Sequence, residues 1–319
     1  MSDLRYNVEL VPPDISAYRA GNTGIDYVTT FAASEPGPHV AVFGLTHGNE
    51  ICGAIAIDKL FRANIRPRRG KLTLAFNNVG AFLEFDPRYP IASRYVDEDF
   101  NRLWSPVTLG GTRNSAELQR ARTIRPIVDA ADYLLDLHSM QYATAPLMLA
   151  GPLEKSRALA RRVAIPEIIM CDAGHAAGPR MRDYGGFGDP GSSKTALLIE
   201  SGQHWERRAA EVASDVMFRF LIATGCVSRD DVAVLGGPEF DAQPRQRTIE
   251  VTEAVTISGD RFDFADDFRG LEVLSEKGTL IGHDDGREVR TPYDNCVLIM
   301  PSRRLVKGQT AVRLGRYID

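Results

Sequence analysis

The sequence predicts an α/β fold, with a mostly parallel or mixed sheet flanked by helices and a smaller C-terminal all-β domain. Two observations favour this class. Between about residues 39 and 225, short apolar runs alternate with longer helical patterns, which is typical of βα units. After Gly225 the chain turns to short β-branched stretches punctuated by glycine, which is typical of short strands joined by tight turns.

Two domains are expected from a length of 319 residues. The change in composition is marked by Gly236, Gly237 and Pro238, and we place the boundary at residue 230. Residues 1–230 then form the larger α/β domain, and residues 231–319 form the small β domain.

Five apolar runs predict the strands of the larger domain. They are residues 39–45, 71–77, 132–138, 145–150 and 195–200. Several are apolar at consecutive positions, as expected for strands that helices cover on both faces.

Four helices are predicted between these strands. They span residues 50–64, a segment from an N-cap at Asn114 with Glu117 to Asp129, residues 151–164, and residues 203–225, where Gly225 ends the helix.

Composition and charge exclude several classes of protein. Hydrophobic residues make up 44% and charged residues 25%, so the chain has ample material for a core. With 38 basic and 42 acidic residues and no block of Lys or Arg, a nucleic-acid partner is not expected. No apolar run approaches the roughly 18 residues of a membrane span, and the N-terminal stretch lacks the apolar core of a signal peptide. From these two observations we expect a cytoplasmic protein. Since the four scattered cysteines form no Cys-x-x-Cys pair, we expect reduced thiols, and a homo-oligomer is left open.

A first pair of candidate metal ligands, His47 and Glu50, follows the first predicted strand at the start of a helix. In an open α/β sheet, ligands bind at the carboxyl ends of strands. Three residues apart on a first helical turn, the two side chains can converge on a metal ion. The motif alone is weak, because a hydrogen-bonded His beside a Glu at a helix N-terminus has the same pattern.

A third candidate ligand, His138, ends another predicted strand. A hydrolytic zinc site uses three protein ligands and keeps one position open, and two His with one Glu form such a set. His47, Glu50 and His138 are therefore predicted to hold one Zn²⁺ per chain. Asp136 lies two residues earlier on the same face of the strand. Its carboxylate can accept a hydrogen bond from the ring nitrogen of His138 that does not bind the metal, or it can bond to nearby backbone or to an Arg instead.

The remaining candidate site residues are a carboxylate and a polar segment. Glu200 ends the apolar strand at 195–200, where a charged side chain that only interacts with solvent is not expected. One carboxylate at this position can act as general base and then as general acid. Arg94, Asn101 and Arg102 lie in residues 93–104, where two guanidinium groups suit a small anionic substrate. A charged surface loop is the alternative reading of this segment.

Four motifs occur together in this order: HGNE at 47–50, RYVDEDFNR at 94–102, DLHS at 136–139 and LLIESG at 197–202. Together they resemble the succinylglutamate desuccinylase and aspartoacylase family, zinc enzymes with a carboxypeptidase-like α/β domain. The resemblance covers about residues 39–205 and is far more specific than any one motif.

The resemblance implies roles for residues of all four motifs. Zinc would be bound by His47, Glu50 and His138, Glu200 would be the general base and acid, Arg94 would polarise the scissile carbonyl, and Asn101 and Arg102 would hold a carboxylate or polar group of the substrate. It also implies that the C-terminal β domain covers the site and narrows its mouth.

One position departs from the family pattern. Where aspartoacylase-like members place a further Arg about ten residues before the catalytic Glu, this chain has Pro190 in a glycine-rich loop. Arg180, Arg182 or Lys194 can replace that Arg, or the substrate lacks a second carboxylate. We predict a single carboxylate clamp, and we interpret the loop at 185–193 as a mobile rim of the pocket.

These features predict a zinc-dependent amidohydrolase, a deacylase that cleaves the amide bond of a small N-acyl amino acid or related N-acyl amine. The alternatives are a metallocarboxypeptidase acting on peptides, and a non-catalytic zinc-binding or ligand-binding protein of the same fold. Glu200 favours catalysis, because metal binding alone does not require an acid/base group. His175, His204 and Tyr293 are weaker candidates for the pocket.

Overall fold

A mixed sheet of eleven strands runs through the residues that the computed structural model describes, which are 7–175, 177–233 and 244–319. The strands of the molecule in chain order are β1 (Val28–Ala32), β2 (Glu35–Gly44), β3 (Arg69–Phe76), β4 (Tyr133–Met140), β5 (Leu147–Leu149), β6 (Ile168–Cys171), β7 (Thr195–Gln203), β8 (Arg247–Thr256), β9 (Phe262–Phe264), β10 (Val273–Leu274), β11 (Leu280–Asp284), β12 (Arg287–Arg290), β13 (Cys296–Ile299) and β14 (Thr310–Tyr317). The helices are α1 (Ile51–Arg62), α2 (Val79–Leu83), α3 (Pro106–Gly110), α4 (Ala116–Ala130), α5 (Glu154–Val163), α6 (Arg207–Ala223) and α7 (Arg229–Ala233).

The strand order in the large sheet is β1-β3-β2-β4-β7-β5-β6-β8-β14-β13-β10. Strands β3, β2, β4 and β7 are parallel neighbours, and β5 runs antiparallel to β7. The α/β class with a mixed sheet is therefore confirmed. The carboxyl ends of β2, β4 and β7 meet at one edge, which is where His47, His138 and Glu200 were predicted to gather.

Two helical layers bury the central strands. Val40 and Val42 of β2 face the layer that contains α1, α5 and α6, while the alternate residues Ala41 and Phe43 face α4. The consecutive apolar residues of these strands follow from this arrangement, because each face of the strand meets a helix.

The start of α4 differs from the prediction. Asn114 is not its N-cap: Ser115 takes that place, and its Oγ accepts a hydrogen bond of 3.0 Å from the backbone N–H of Leu118. Glu117, which was paired with Asn114 in predicting this helix start, has its carboxylate turned toward the loop at 96–98. Asn and Ser are both common N-cap residues. Because Glu117 bonds to the loop at 96–98, it does not form the cap with Asn114, and Ser115 is the N-cap residue.

The all-β region expected after residue 230 is present, and it continues the large sheet. β8 pairs in parallel with β6, and β14 and β13 follow it in antiparallel order. The strands β12, β11 and β9 form a separate three-stranded sheet within the described residues. The predicted boundary at residue 230 falls in α7, while Gly236, Gly237 and Pro238 lie outside the described residues. The division into two domains stays a prediction, and main-chain pairing between β6 and β8 links its two sides.

Across the described ranges, no helix is both long and apolar enough to cross a membrane.

Candidate metal centre and substrate cavity

His47 and Glu50 share a tight turn between β2 and α1. The backbone N–H of Glu50 donates to the carbonyl of His47 at 3.1 Å, and Glu50 is the N-cap residue of α1. The pair was expected on a first helical turn, but the helix begins only at Ile51. At Gly48, between them, a Cβ atom would lie 2.5 Å from the main chain of Ala81 and Phe82, so only glycine allows this close packing.

His138 and Glu200 lie side by side on neighbouring strands. In the parallel pair of β4 and β7, His138 is the register partner of Glu200. Side chains at paired positions of adjacent strands project from the same face of a sheet. The register therefore places the third predicted metal ligand next to the predicted general base.

The three predicted metal ligands are gathered and buried. The candidate ligand atoms of His47, Glu50 and His138 all lie within 4.8 Å of one another. Nδ1 of His47 is 2.8 Å from Glu50 Oε1, and Nδ1 of His138 is 2.8 Å from Glu50 Oε2. Burial alone would raise the pKa of Glu50, but the two imidazoles beside it hold this pKa well below its usual range.

Each imidazole has a carboxylate against its other nitrogen. Nε2 of His138 lies 2.8 Å from Oδ2 of Asp136, as predicted, and Nε2 of His47 lies 2.9 Å from Oδ1 of Asp99. Asp136 is itself fixed by Thr46, whose hydroxyl donates to its Oδ1 at 2.7 Å. Sequence reasoning missed Asp99, because nothing in the spacing of the acidic run at 97–99 separates it from its neighbours.

This arrangement fits a zinc ion. Two imidazole nitrogens and a carboxylate oxygen are the donor set of many hydrolytic zinc sites. Carboxylates on the outer nitrogens, as Asp99 and Asp136 provide, fix the ring orientation that directs the inner nitrogens to a metal.

Glu200 has an unsatisfied oxygen in the same cavity. Its residue surface is only 8% exposed, and Oε2 has no hydrogen-bond partner among the described residues. Burial raises the pKa of Glu200 to about 8. The free oxygen and the raised pKa suit a carboxyl group that exchanges protons with a ligand.

The polar segment at 94–102 reaches the centre as predicted. Nη1 of Arg94 donates to Glu50 Oε1 at 3.2 Å. Asn101 is buried, with Nδ2 3.4 Å from His138 Nε2 and Oδ1 accepting from the backbone N–H of Met181. Arg102 lines the cavity, and its Nη1 donates to the Asn101 carbonyl at 2.7 Å. The alternative of a solvated surface loop does not describe Asn101, which is 2% exposed.

Glu117 of α4 holds this segment in place. Its buried carboxylate accepts hydrogen bonds from three consecutive backbone N–H groups, those of residues 96, 97 and 98, and from Nδ2 of Asn78. The segment is thereby anchored midway between Arg94 and Asn101.

We expect Glu117→Ala to destabilise the fold by about 2–4 kcal/mol, because it removes the acceptor of three partly buried N–H groups of the loop and of the buried Nδ2 of Asn78. Urea unfolding measures the change. Gln119→Ala, at an exposed position of the same helix, is the matched control and should cost under about 1 kcal/mol. Equal stability of the two variants would show that water replaces Glu117 as the acceptor.

A cavity of about 810 Å³ contains all the predicted site residues and is closed on one side by the C-terminal region. Arg304 donates to the hydroxyl of Tyr95 at 2.8 Å, and the guanidinium of Arg303 lies 4.0 Å from the ring centre of Tyr142. This volume is in the range of sites for small molecules.

The three candidates for a second substrate clamp have other partners. Arg180 borders the cavity but is bound by Asp172 on two nitrogens, at 2.6 and 2.8 Å. Arg182 donates to the Ala150 carbonyl, and Lys194 donates to two backbone carbonyls at the end of α4; neither lines the cavity.

The glycine-rich loop at 185–193 was interpreted as a rim of the pocket, and the structure contradicts this. None of its residues lines the cavity. Nζ of Lys155 donates to three of its carbonyls, at Gly186, Asp189 and Ser192. The loop packs near the start of α5 because the ammonium group of Lys155 forms hydrogen bonds with these three carbonyl groups.

The other residues that line the cavity include His175, His204 and Arg313. Burial lowers the pKa of His204 to about 3, and its Nδ1 lies 2.8 Å from Ser139 Oγ. Arg313 was missed altogether, because in the alternating strand β14 it reads as a solvent-facing residue. Tyr293 is not at the cavity; its hydroxyl pairs with Thr252 Oγ1.

Comparisons with known proteins give matches in sequence and in structure. Residues 36–204, more than half of the chain, match the family described as the succinylglutamate desuccinylase/aspartoacylase catalytic domain. The succinylglutamate desuccinylase of Pseudoalteromonas atlantica is 24% identical over 297 residues, which cover 83% of this chain and 77% of that protein. The aspartoacylase of Xenopus tropicalis is 32% identical over 113 residues, which cover 33% of this chain and 34% of that one.

Solved structures share the fold over nearly the whole chain. The succinylglutamate desuccinylase of Vibrio cholerae superimposes with a TM-score of 0.67 at 17% identity, covering 91% of this chain and 85% of that one. The ectoine utilization protein of Ruegeria pomeroyi, solved with product bound, gives a TM-score of 0.62 at 16% identity, covering 93% and 92%.

Proposed function

Because this chain belongs to the succinylglutamate desuccinylase/aspartoacylase family, a family of deacylases, we propose that it hydrolyses the amide bond of a small N-acyl amino acid or related N-acyl amine with the help of one zinc ion. The observation that carries the proposal is that His47, Glu50 and His138 share one cavity with Glu200, whose Oε2 has no hydrogen-bond partner among the described residues.

Zinc held by His47, Glu50 and His138 would supply a Lewis acid that polarises the amide carbonyl and lowers the pKa of the attacking water. Asp99 and Asp136, against the outer nitrogens of His47 and His138, would keep the two imidazoles in the orientation that the ion requires.

Glu200 carries the proton. As a carboxylate it takes a proton from the attacking water, and as a carboxylic acid it returns that proton to the departing amine nitrogen. A pKa raised by burial suits both halves of this task, because the group must hold the proton and then release it near neutral pH.

The guanidinium groups hold the substrate. Arg94, beside Glu50, donates to the carbonyl oxygen as negative charge develops on it. Arg102 forms a bidentate pair with a carboxylate of the substrate. Its Nη1 donates to the Asn101 carbonyl, and Asn101 is held by the backbone N–H of Met181, which donates to its Oδ1.

The contacts of Arg303 and Arg304 across the cavity support a small substrate over a peptide. The four cysteines are free and buried, which supports a reducing, cytoplasmic location.

A turnover screen of the zinc-loaded protein tests the proposal. N-acetyl, N-succinyl and N-formyl amino acids are the substrates, short peptides are the controls, and release of the free amine is measured. We expect hydrolysis of at least one N-acyl amino acid and none of the peptides. Cleavage of peptides alone would favour a carboxypeptidase, and the absence of any turnover would favour a binding protein.

Arg102→Lys tests the carboxylate clamp. Lys keeps the positive charge but cannot reproduce the two-pronged geometry of a guanidinium. We expect KM for the best N-acyl amino acid to rise about tenfold with kcat little changed, a loss typical of ground-state binding. The corresponding amide, which has no anion, should bind poorly to both proteins. An unchanged KM would remove Arg102 from the binding site.

A further inference from the structure

His204 has a ring nitrogen without a partner at the wall of the cavity. The residue is 1% exposed and lines the same cavity as Glu200. Its Nδ1 lies 2.8 Å from Oγ of Ser139, whereas its Nε2 has no hydrogen-bond partner among the described residues. Because a buried polar atom without a partner destabilises a protein, a ligand that fills the cavity is the candidate partner of Nε2.

A bulge in β7 brings His204 to this place. One residue of β4 lies between His138 and Met140, but two residues of β7 lie between the register partners of these two. One of the two is Gly202, whose φ of +115° is a backbone conformation that favours glycine. Directly after the bulge, the backbone N–H of His204 donates to the Met140 carbonyl at 2.8 Å. Bulges commonly direct a side chain at an active site, and this one sets His204 beside the end of β4.

The imidazole of His204 is an uncharged hydrogen-bonding group. Burial lowers the pKa of His204 to about 3, so the ring is neutral at pH 7. A neutral imidazole has one donor and one acceptor nitrogen, and the hydroxyl of Ser139 can pair with either of them. Nε2 therefore offers one donor or one acceptor. A hydroxyl group satisfies both cases, because it donates and accepts.

His204 lies close to the metal centre and not at the Arg102 clamp. After burial, the groups that act on the pKa of His204 are Glu50, Arg94 and the two histidines of the proposed metal site. Arg102 acts instead on the pKa of His175. Since the interaction between charges falls with distance, the two histidines His175 and His204 border different parts of the cavity.

The proposed reaction assigns these two parts to the two halves of the substrate. The amine half carries the carboxylate that Arg102 holds, and the scissile carbonyl lies at Arg94 and the metal. The acyl half then extends from the carbonyl away from Arg102, along the wall that His204 and Ser139 share.

We propose that His204 determines specificity by forming a hydrogen bond from its Nε2 to a hydroxyl group on the acyl half of the substrate. This inference rests on the proposed deacylase function and names its substrate class, N-acyl compounds whose acyl chain carries a hydroxyl. A plain alkanoyl chain in the same place leaves Nε2 without a partner.

Two matched pairs of substrates test the inference, built on the amino acid that the turnover screen favours. N-glycoloyl and N-propanoyl derivatives differ by a hydroxyl in place of a methyl group of similar size. N-3-hydroxypropanoyl and N-butanoyl derivatives make the same exchange one carbon further from the amide. We expect the hydroxyl member of at least one pair to be favoured in kcat/KM by about ten- to a hundredfold, because its analogue leaves a buried polar atom unpaired.

His204→Asn and His204→Gln separate a binding role from a structural one. The amide of Asn can replace Nδ1 at Ser139 but places no atom where Nε2 lies, whereas the longer Gln places its amide there. We expect His204→Asn to lower the preference about tenfold or more and His204→Gln to keep more of it. The ratio that remains in His204→Asn measures the difference in amide reactivity within the pair.

His283→Asn is the matched control. It makes the same change in the separate C-terminal sheet and should keep the wild-type preference. A preference that survives His204→Asn, or one that His204→Asn and His204→Gln lose equally, would overturn the inference.

Binding measured without turnover separates this inference from the proposed function. Calorimetry on the zinc-loaded wild type should show glycolate bound about tenfold or more tightly than propanoate, or 3-hydroxypropanoate than butanoate, and His204→Asn should remove the difference. A difference that persists in His204→Asn comes from the metal and contradicts the inference. If no N-acyl compound is hydrolysed, the proposed function fails and these four acids still decide the role of His204.

If His204→Asn does not fold, the wild type and His204→Gln decide. A preference for the hydroxyl member that both proteins share supports the inference, and its absence from the wild type in every pair overturns it.

Discussion

Glu200→Gln is expected to lower kcat by a factor of at least about 10² to 10⁴ while zinc stays near one ion per chain. Gln keeps the size and hydrogen-bonding capacity of the side chain but cannot take a proton from water. The side chain sits beside His138 and does not belong to the ligand set, so the metal should be retained. Steady-state kinetics on the best substrate of the screen and metal analysis of the same sample measure the two quantities.

Glu211→Gln provides the control for this variant. Glu211 lies on an exposed position of α6, and the same change there should leave kcat within about twofold. Nearly full activity of Glu200→Gln would mean that its burial is structural and that another group accepts the proton.

His47→Ala and His138→Ala are expected to lose zinc and with it nearly all activity. Each change removes one of the three proposed protein ligands and leaves Glu50 with a single imidazole. We expect the zinc content to fall from about one ion per chain to near zero after dialysis, with kcat below detection.

His283→Ala, in the separate C-terminal sheet, is the matched control and should retain metal. Thermal unfolding of all the variants shows whether each still folds. If both ligand variants keep a full complement of zinc, the metal lies elsewhere.

The parts of the fold that the sequence predicted are those where local pattern and tertiary environment agree. Strands β2, β4 and β7 are covered by helices on both faces, so their residues are apolar in succession and stand out from their flanks. The four-residue strand β6 was missed because so short an apolar run has no distinguishing period.

The residues of the candidate site also fall into those that a sequence rule predicts and those that it does not. His47, His138 and Glu200 follow predicted strands, and the rule that ligands bind at the carboxyl ends of strands places them together. Asp99 and Arg313 follow no such rule. The role of Asp99 depends on how the 94–102 segment folds back on His47, and that of Arg313 depends on which face of β14 borders the cavity.

Glu117 shows why residue type alone can mislead. A Glu near a helix N-terminus predicts a capping box, and here the same carboxylate has three backbone donors from another segment within reach. Only the packing of α4 against that segment decides which set of donors it accepts from.

The continuous sheet also affects how this protein avoids aggregation. An unpaired edge strand can add a strand of another molecule, and long apolar edges are the most hazardous. Because β8, β14 and β13 continue the sheet beyond β6, the buried apolar strand β6 lies inside the sheet, and the described edges are β1, of five residues, and β10, of two. The C-terminal region that supplies Arg313 to the cavity therefore also shields the β6 edge of the catalytic strands from intermolecular pairing.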